Sequence, residues 1–391
     1  MKIALERSSE KIYDRIVLEL AAGFESFGHT CTLINISDFV NLQEVINLYN
    51  EHDMALITNS IGFLSIKREN DYIFEIIQPN LVFLHHDAPF SSADFGMISA
   101  KIEAFKRVKH RSSHLTIEQS DLIDFQLMNI PIQITPHIST MGNNVPLNKY
   151  STFKSEISFL GHVVPPADGM INFGTSNDLD YYKSYLRRTI DFNHSVKNDF
   201  DSLFKSNDRG KGDEYFVRKF QYIQYVNTYT MFLRGALINS IEKHRIDIIG
   251  GDPAWLHGED QTRFLKGNNV NYHSPIFAID RVADIFSSSR INLNITSLQF
   301  DSAVINRVID CALSGGFILT DRKNQLFELT SVAEEISFSN TDEMLSKISK
   351  YSNPSNEKST LEILNHLKSD LSKNCSTQIT ITKIIDAAMS I

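Results

Sequence analysis

The sequence predicts an α/β protein with two domains, each built on a parallel β-sheet. Short apolar strands alternate with amphipathic helical segments in both halves of the chain, which is typical of parallel strands joined by helices. A length of 391 residues exceeds one ordinary hydrophobic core. The stretch at residues 140–155 is polar and aperiodic, and it is the best linker. We therefore expect one domain over residues 1–150 and a second over residues 151–375.

The first domain opens with a strand, a helix, a glycine and a second strand. The run Lys2–Glu6 is apolar, and apolar residues then recur at helical spacing from Lys11 to Phe27. Gly28 favours an end to this helix, and Thr30–Ile36 is rich in β-branched residues, as strands are. The alternation continues with a helix and two strands, at Asn41–Tyr49, Met54–Thr58 and Asn80–Leu84.

Polar residues follow directly after the last of these strands. His85, His86 and Asp87 stand beyond its carboxyl end, where parallel sheets bind their ligands. We therefore regard the three as candidate functional residues. The alternative is an ordinary strand-end turn closed by Asp87 and Pro89.

The second domain begins with the strand Glu156–Leu160. Long helical stretches then predict a helical insertion over about residues 165–243. The next strand, Ile246–Ile249, ends in Gly250 and Gly251. Glycines just past a strand allow a phosphate to approach the backbone closely, so this pair is a candidate binding turn, although a lone glycine pair is a weak signal.

The most informative stretch is Ser287–Asp321. It predicts a strand, a polar loop, a helix from about Val304 and a second strand after two glycines. The start of such a helix suits a diphosphate, and Arg307 can neutralise charge beside it. Asn306 and Asp310 share the polar face of the helix, where Asp310 can accept hydrogen bonds from a ribose diol. The alternative is a solvated helix face with no ligand.

Composition excludes several classes of function. The net charge of -9 gives no general attraction to nucleic acid. Three separated cysteines match no zinc or disulfide pattern, and no pair of carboxylates follows a strand where it could hold a divalent ion, so we predict no metal site. Charges near the N-terminus and the lack of a long apolar run favour a cytoplasmic protein. The sequence leaves the oligomeric state open.

The run NRVIDCALSGGFILTD, from Asn306 to Asp321, resembles the C-terminal domain of CgeB-like glycosyltransferases of the GT-B class. The likeness includes Arg307, the glycine pair Gly315 and Gly316, and the final Thr320 and Asp321. Asn306 is one place closer to the arginine than in the family pattern, and the usual glutamate is replaced by Asp310. Four further segments are similar to family motifs: RGALINSIEKHRIDIIGGDPAW, EISFLGH, LVFLHHDAPF and HLTIEQSDLIDFQLMNIPIQITPHIST.

This resemblance implies two Rossmann-like domains facing across a cleft, with residues 376–391 as a helix packed back on the first domain. It implies transfer of a hexose or pentose from a nucleotide-diphosphate sugar, with a uridine diphosphate sugar preferred, and no obligatory metal or other cofactor. The catalytic candidates are then His85, His86 and Asp87. The donor-binding candidates are Asn306, Arg307, Asp310, Gly250, Gly251, Arg234 and Asn294.

Two alternatives accompany this hypothesis. In one, the acceptor is a modified base in phage DNA, which would require a basic surface such as the segment Lys101–Arg111. In the other, the chain is an inactive binding protein with the same fold, because a fold does not fix a function. The sequence leaves open the donor sugar, the acceptor and the stereochemistry of transfer.

Overall fold

The computed structural model describes residues 1–7, 11–39, 41–59, 67–68, 71–89, 95–141, 154–163, 191–192, 230, 233–250 and 269–391. These residues form two compact units. The described part of unit 1 falls in Met1–Thr140 and Cys375–Ile391, and that of unit 2 falls in Met141–Leu203 and Tyr222–Asn374. Most of the predicted helical insertion at residues 165–243 lies outside the described residues.

Unit 1 contains a six-stranded sheet in which every neighbouring pair is parallel, in the order β2-β1-β3-β6-β7-β8. Because β1 has β2 on one side and β3 on the other, the connections change direction between β1 and β3. A separate two-stranded hairpin pairs β4 with β5. The strands are β1 Lys2–Glu6, β2 Thr30–Ile34, β3 Met54–Thr58, β4 Lys67–Arg68, β5 Asp71–Tyr72, β6 Asn80–His85, β7 Ser112–Thr116 and β8 Ile132–Ile134.

Helices cover this sheet. They are α1 Lys11–Ser26, α2 Leu42–Asn50, α3 Ile73–Ile76, α4 Phe95–Val108, α5 Asp121–Leu127 and, from the end of the chain, α12 Thr377–Met389. The apolar face of α12 joins α1 in one buried cluster that includes Ile381, Ile384 and Leu20. A Cβ atom at Gly23 would collide with Ile381, so the absence of a side chain there permits the close approach of the two helices.

Unit 2 contains a second all-parallel sheet, in the order β11-β10-β9-β12-β13-β14. The connections change direction between β9 and β12, and ligands of such sheets bind beyond the carboxyl ends of the strands at that position. The strands are β9 Ser155–Leu160, β10 Ile246–Ile249, β11 Val270–His273, β12 Ser289–Asn294, β13 Ile318–Asp321 and β14 Ser337–Phe338. Two parallel sheets with helices confirm the predicted α/β class.

The helices of unit 2 include α6 Ile279–Ser288, α7 Asn306–Leu313, α8 Asn324–Leu329, α9 Ala333–Ile336, α10 Thr341–Ser352 and α11 Glu357–Asn374. Residues 233–239 are also helical. Helix α7 begins two residues later than the predicted Val304, because Ile305 has extended backbone angles and precedes the first helical residue. None of the described helices is long and apolar enough to cross a membrane.

Glycines end α7 and allow the chain to return to the sheet. Gly315 has a φ of 81°, a left-handed conformation that favours glycine. At Gly316 a Cβ atom would lie 2.5 Å from the carbonyl oxygen of Phe286 and 2.7 Å from Sγ of Cys311. The glycine pair is therefore required by the close packing of α7, α6 and β13.

Candidate functional site

The candidate donor site of unit 2 lies at the carboxyl ends of β9 and β12. Asn294 is the last residue of β12 and is fully buried. Its Nδ2 donates to Oγ1 of Thr296 at 3.0 Å and to Oγ1 of Thr320 at 2.9 Å. These bonds fix the amide so that Oδ1 accepts from Nη1 of Arg307 at 3.0 Å. The strand therefore orients the half-buried guanidinium group at the start of α7.

A second arginine lies beside the first. Arg234, on the helical segment 233–239, is 7% exposed. Its Nε donates to the carbonyl of Ile295 at 3.0 Å and its Nη1 to the carbonyl of His162 at 3.2 Å. Burial, together with the charge of Arg307, lowers the pKa of Arg234 to about 9. Both arginines stay cationic at neutral pH, and their mutual repulsion favours an anion between or beside them.

Two buried carboxylates partly balance this positive charge. Burial lowers the pKa of Arg307 to about 10, and Asp310 and Asp321 oppose that shift. Asp310 lies on α7 and is only 3% exposed, so it is not the solvated helix residue of the alternative interpretation. Asn306 is the first residue of α7 and is half-buried. Arg307 therefore lies in the first turn of the helix, where N–H groups lack intrahelical acceptors.

Two glycine turns lie next to these groups. Gly161 follows β9 with a φ of 154°, and Gly250 follows β10 with a φ of 138°. A Cβ atom at Gly250 would lie 2.8 Å from the carbonyl oxygen of Gly161, so the two turns pack backbone against backbone. A Cβ atom at Gly161 would lie 3.5 Å from Nη2 of Arg307. The predicted partner Gly251 lies outside the described residues.

The loop between β12 and α7 is anchored by a segment whose role the sequence did not reveal. Oδ1 of Asp321 accepts from the backbone N–H of Thr296 at 2.8 Å. Lys323, only 2% exposed, pairs with Asp321 at 3.1 Å and donates to the carbonyl of Phe300. Oε1 of Gln325 accepts from the backbone N–H of Val304 at 2.7 Å. The loop is thus held at several points before any ligand binds.

In unit 1, Asp87 lies beyond β6 in a network that sequence reasoning missed. Oδ1 of Asn59 accepts from the backbone N–H groups of His86 and Asp87, at 2.8 and 3.2 Å. Nδ2 of Asn59 donates to Oδ2 of Asp87 at 3.2 Å, and the hydroxyl of Tyr13 donates to the same oxygen. Asn59 follows β3, and its position beyond the carboxyl end of a strand could have marked it as a candidate functional residue. The sequence around Tyr13 contains no comparable indication.

The two histidines before Asp87 are buried. His85 is 1% exposed, and its Nε2 lies 3.0 Å from Nδ1 of His114. Both rings lie in an aromatic cluster with Phe83 and Phe105. Burial holds the pKa of His85 well below its usual range, so this ring is neutral and faces the hydrophobic interior.

His86 is 3% exposed, and neither of its ring nitrogens has a partner among the described residues. Its ring lies 6.5 Å from that of Tyr13 and 4.7 Å from that of His137, measured between centroids. Burial lowers the pKa of His86 well below its usual range and that of His137 to about 4. At neutral pH both rings are neutral.

Several cations of the basic segment Lys101–Arg111 are buried or bonded within unit 1. Lys101 is 6% exposed. Lys106 pairs with Glu103 at 2.9 Å, and Arg107 pairs with Glu75. Arg111 donates to the backbone carbonyls of Phe74 and Pro79. Most of these cations are therefore already committed within unit 1.

Metal ligands are not gathered anywhere in the part of the chain that the structure describes: it contains no group of three or more His, Cys, Asp or Glu side chains suited to an ion. The three cysteines are free, and Cys311 and Cys375 are buried. Burial raises the pKa of Cys375 to about 12, so this thiol is protonated and unreactive.

Part of unit 2 matches a protein-family model. Residues 231–373 match the protein-family model described as glycosyl transferase-like. Comparison with curated proteins finds no significant match.

Solved glycosyltransferase structures match over the whole chain. T4 phage BGT in complex with its UDP-glucose substrate has a TM-score of 0.60 at 11% identity, over 100% of both chains. Anabaena HepE in complex with UDP-glucose has a TM-score of 0.57 at 10% identity, again over 100% of both. An alpha-glucosyltransferase with UDP and a 13-mer DNA has a TM-score of 0.59 at 11% identity, over 100% of this chain and 99% of that one.

At these identities the structural matches show a shared fold, whereas the family match covers the candidate donor site itself. Arg234, Asn294, Arg307 and Asp310 all lie within residues 231–373. The chain therefore has the GT-B fold of glycosyltransferases. Residues 231–373 match the glycosyl transferase-like family model, which supports the predicted enzyme class and a nucleotide-sugar donor.

Proposed function

We propose that unit 2 binds the diphosphate of a nucleotide sugar through Arg307 and Arg234 at the start of α7. The observation that carries this proposal is the pair of neighbouring arginines, one buried and one half-buried, whose charges are opposed among the described residues by Asp310 and Asp321. Holding two cations together is unfavourable without an anion, and a diphosphate supplies at least two negative charges. The first-turn N–H groups of α7 add further donors.

The remaining predicted contacts fit the same donor. Asn294 orients Arg307, and the turn at Gly250 packs against the turn at Gly161, which lies next to Arg307. Asn306 and Asp310 complete the polar face of α7. We assign Asp310 to a ribose diol, because a carboxylate can accept hydrogen bonds from both hydroxyl groups. Uridine is the preferred base, since T4 phage BGT and Anabaena HepE were solved with UDP-glucose. The CgeB-like subgroup is likewise our proposal, from the motifs between Asn306 and Asp321.

We propose that Asp87 is the catalytic base and that His85 and His86 support it. In the transfer step the acceptor oxygen bonds to the anomeric carbon, and the bond to the diphosphate oxygen breaks with its electron pair. The acceptor proton passes to the carboxylate of Asp87. His85 is a weaker candidate for the base than Asp87, because its ring is paired with His114 inside an aromatic cluster. The two diphosphate-binding arginines stabilise the leaving group, a role that requires no metal.

The acceptor class is open to two proposals. A glycan, protein or small-molecule hydroxyl is the first. A modified DNA base is the second, because two of the structural matches, described as a DNA-modifying enzyme and as a complex with DNA, act in that context. The internal pairing of Lys106, Arg107 and Arg111 gives the DNA alternative no support from the basic segment.

Nucleotide release from a panel of UDP-, GDP-, ADP- and TDP-sugars tests the proposal. We expect turnover with at least one donor, selectively for one base, and a loss of roughly 100-fold or more in kcat/KM for Arg307→Ala, as for loss of a charged transition-state contact. Arg322→Ala is the matched control, since Arg322 pairs with the exposed Glu334 outside the site. Failure of every donor to bind or turn over would refute the proposed function and leave the inactive binding protein.

A further inference from the structure

Beyond the three sequence candidates, unit 1 contains two residues that converge on one carboxylate. Tyr13 belongs to α1 and Asn59 follows β3, and both donate to Oδ2 of Asp87. Asn59 also accepts from the backbone N–H groups of His86 and Asp87. One amide side chain therefore fixes both the backbone turn and the carboxylate that the turn carries.

The backbone of Asn59 is held in an unusual state to make these contacts. Its φ is 55°, in the left-handed region that non-glycine residues seldom adopt, and its own N–H donates to the carbonyl of Leu84 at 3.0 Å. Such a conformation costs about 1 kcal/mol or more and persists where surrounding contacts hold it. The side-chain contacts of Asn59 to His86 and Asp87, together with its backbone hydrogen bond to Leu84, are contacts of this kind.

We infer that Tyr13 and Asn59 are positioning residues that orient Asp87 and keep it ionised for proton transfer. This inference rests on the proposed function, in which Asp87 is the base. Two hydrogen bonds to one carboxylate oxygen favour its charged form and restrict its rotation. A base that is already oriented and ionised loses little free energy in reaching the reactive geometry.

Neighbouring charges act in the same direction. Lys101 on α4 is 6% exposed, and its ammonium group and Asp87 attract each other. The histidines near the carboxylate are neutral at neutral pH, so they add no positive charge of their own beside Asp87. Among the described residues, the titratable groups that interact with Asp87 or with the neighbouring histidines include Tyr13 of α1, His85 at the end of β6, His86 after it, Lys101 of α4 and His137 after β8.

Two variants of Asn59 separate positioning from a structural role. Asn59→Asp keeps the acceptor for both backbone N–H groups but places an oxygen, instead of an N–H donor, against Oδ2 of Asp87. Asn59→Gly accepts the positive φ without strain but removes every side-chain contact. A purely structural role predicts that Asn59→Asp behaves as the wild type. Positioning predicts a defect in Asn59→Asp, because two carboxylates then repel each other.

The first measurement is the titration of Asp87 by ¹³C NMR in protein labelled at the aspartate carboxyl carbon, with the signal identified by its loss in Asp87→Asn. We expect the midpoint to rise by roughly one pH unit in Tyr13→Phe and by more in Asn59→Asp. Tyr13→Phe removes a single oxygen atom and serves as the variant least prone to misfold. Unchanged midpoints in folded Tyr13→Phe and Asn59→Asp would overturn the inference.

The second measurement is UDP-glucose hydrolysis, with water as the acceptor. We expect kcat to fall roughly 10-fold in Tyr13→Phe, the usual size of a lost hydrogen bond to a charged group, while KM stays within about twofold. The acid limb of the pH profile should move with the NMR midpoint. A shifted midpoint with unchanged kcat would also overturn the inference. Absence of hydrolysis in the wild type would count against the proposed function, and the titration would still decide the orientation of Asp87.

Discussion

Acid should destabilise unit 1 through its buried histidines, and His114 allows the effect to be isolated. His114 is fully buried, with its ring 4.7 Å from Phe83 and 4.8 Å from Phe125, and burial lowers its pKa from 6.5 to about 3. The unfolded chain therefore binds a proton at this residue that the folded protein does not bind. The stabilisation from the neutral ring is complete above pH 6.5 and is lost as pH falls towards 3.

The expected loss of stability follows from the pH range between the pKa of His114 in the unfolded chain and its pKa in the folded protein. Between pH 6.5 and pH 4 the folded state of His114 lacks one proton relative to the unfolded state, which is worth about 1.4 kcal/mol per pH unit, or about 3 kcal/mol in total. His114→Phe removes the titrating group and fits an aromatic surrounding. The stability of the wild type relative to this variant should thus fall by about 3 kcal/mol between pH 7 and pH 4.

Native-state hydrogen exchange of peptides from β6 and β7, corrected for intrinsic exchange rates at each pH, measures this difference within unit 1 alone. His110→Phe is the matched control, because His110 is exposed at the end of the connection from β6 to β7, close in sequence to His114. If the difference in stability between the wild type and His114→Phe stays constant within about 0.5 kcal/mol from pH 7 to pH 4, His114 does not cause the loss of stability in acid.

Three further outcomes are expected. Gly316→Ala should destabilise unit 2 by several kcal/mol in urea unfolding, because its Cβ would overlap backbone and sulfur atoms that cannot move freely. Gln325→Leu should weaken UDP-glucose binding in calorimetry by releasing Val304 and its loop, whereas Gln325→Glu keeps the acceptor and should bind as the wild type does. Burial lowers the pKa of Lys101 to about 7, so the charged side chain destabilises the folded state. Lys101→Met should therefore stabilise unit 1 most below pH 7, and this gain should shrink by roughly 1.4 kcal/mol per pH unit up to pH 10.5. A gain in stability that does not depend on pH would contradict this.

Local pattern predicted the frame of the fold well. Strand and helix periods placed β1, β3, β6 and the stretch from β12 to β13 close to their observed positions, because apolar spacing is a property of neighbouring residues. The family resemblance named both Asn294 and Arg307 among the donor-binding candidates, and the structure joins these two side chains by a hydrogen bond.

The pattern could not show contacts between distant residues. Tyr13 lies 74 residues from Asp87, and nothing in the surrounding helix distinguishes it from an ordinary half-buried tyrosine. Lys323 is buried in a pair with Asp321 and anchors the loop at Phe300, a role that local sequence does not indicate. Burial and pairing depend on tertiary packing, so the sequence revealed the types of side chain but not their partners.

Calorimetric titration of UDP-glucose into three proteins tests the cationic donor site of unit 2. We expect binding to the wild type, equal binding to Arg322→Ala, and affinity reduced at least 10-fold in Arg307→Ala, as for loss of a charged hydrogen bond. If Arg307→Ala folds normally and binds UDP-glucose as tightly as the wild type, Arg307 does not bind the donor.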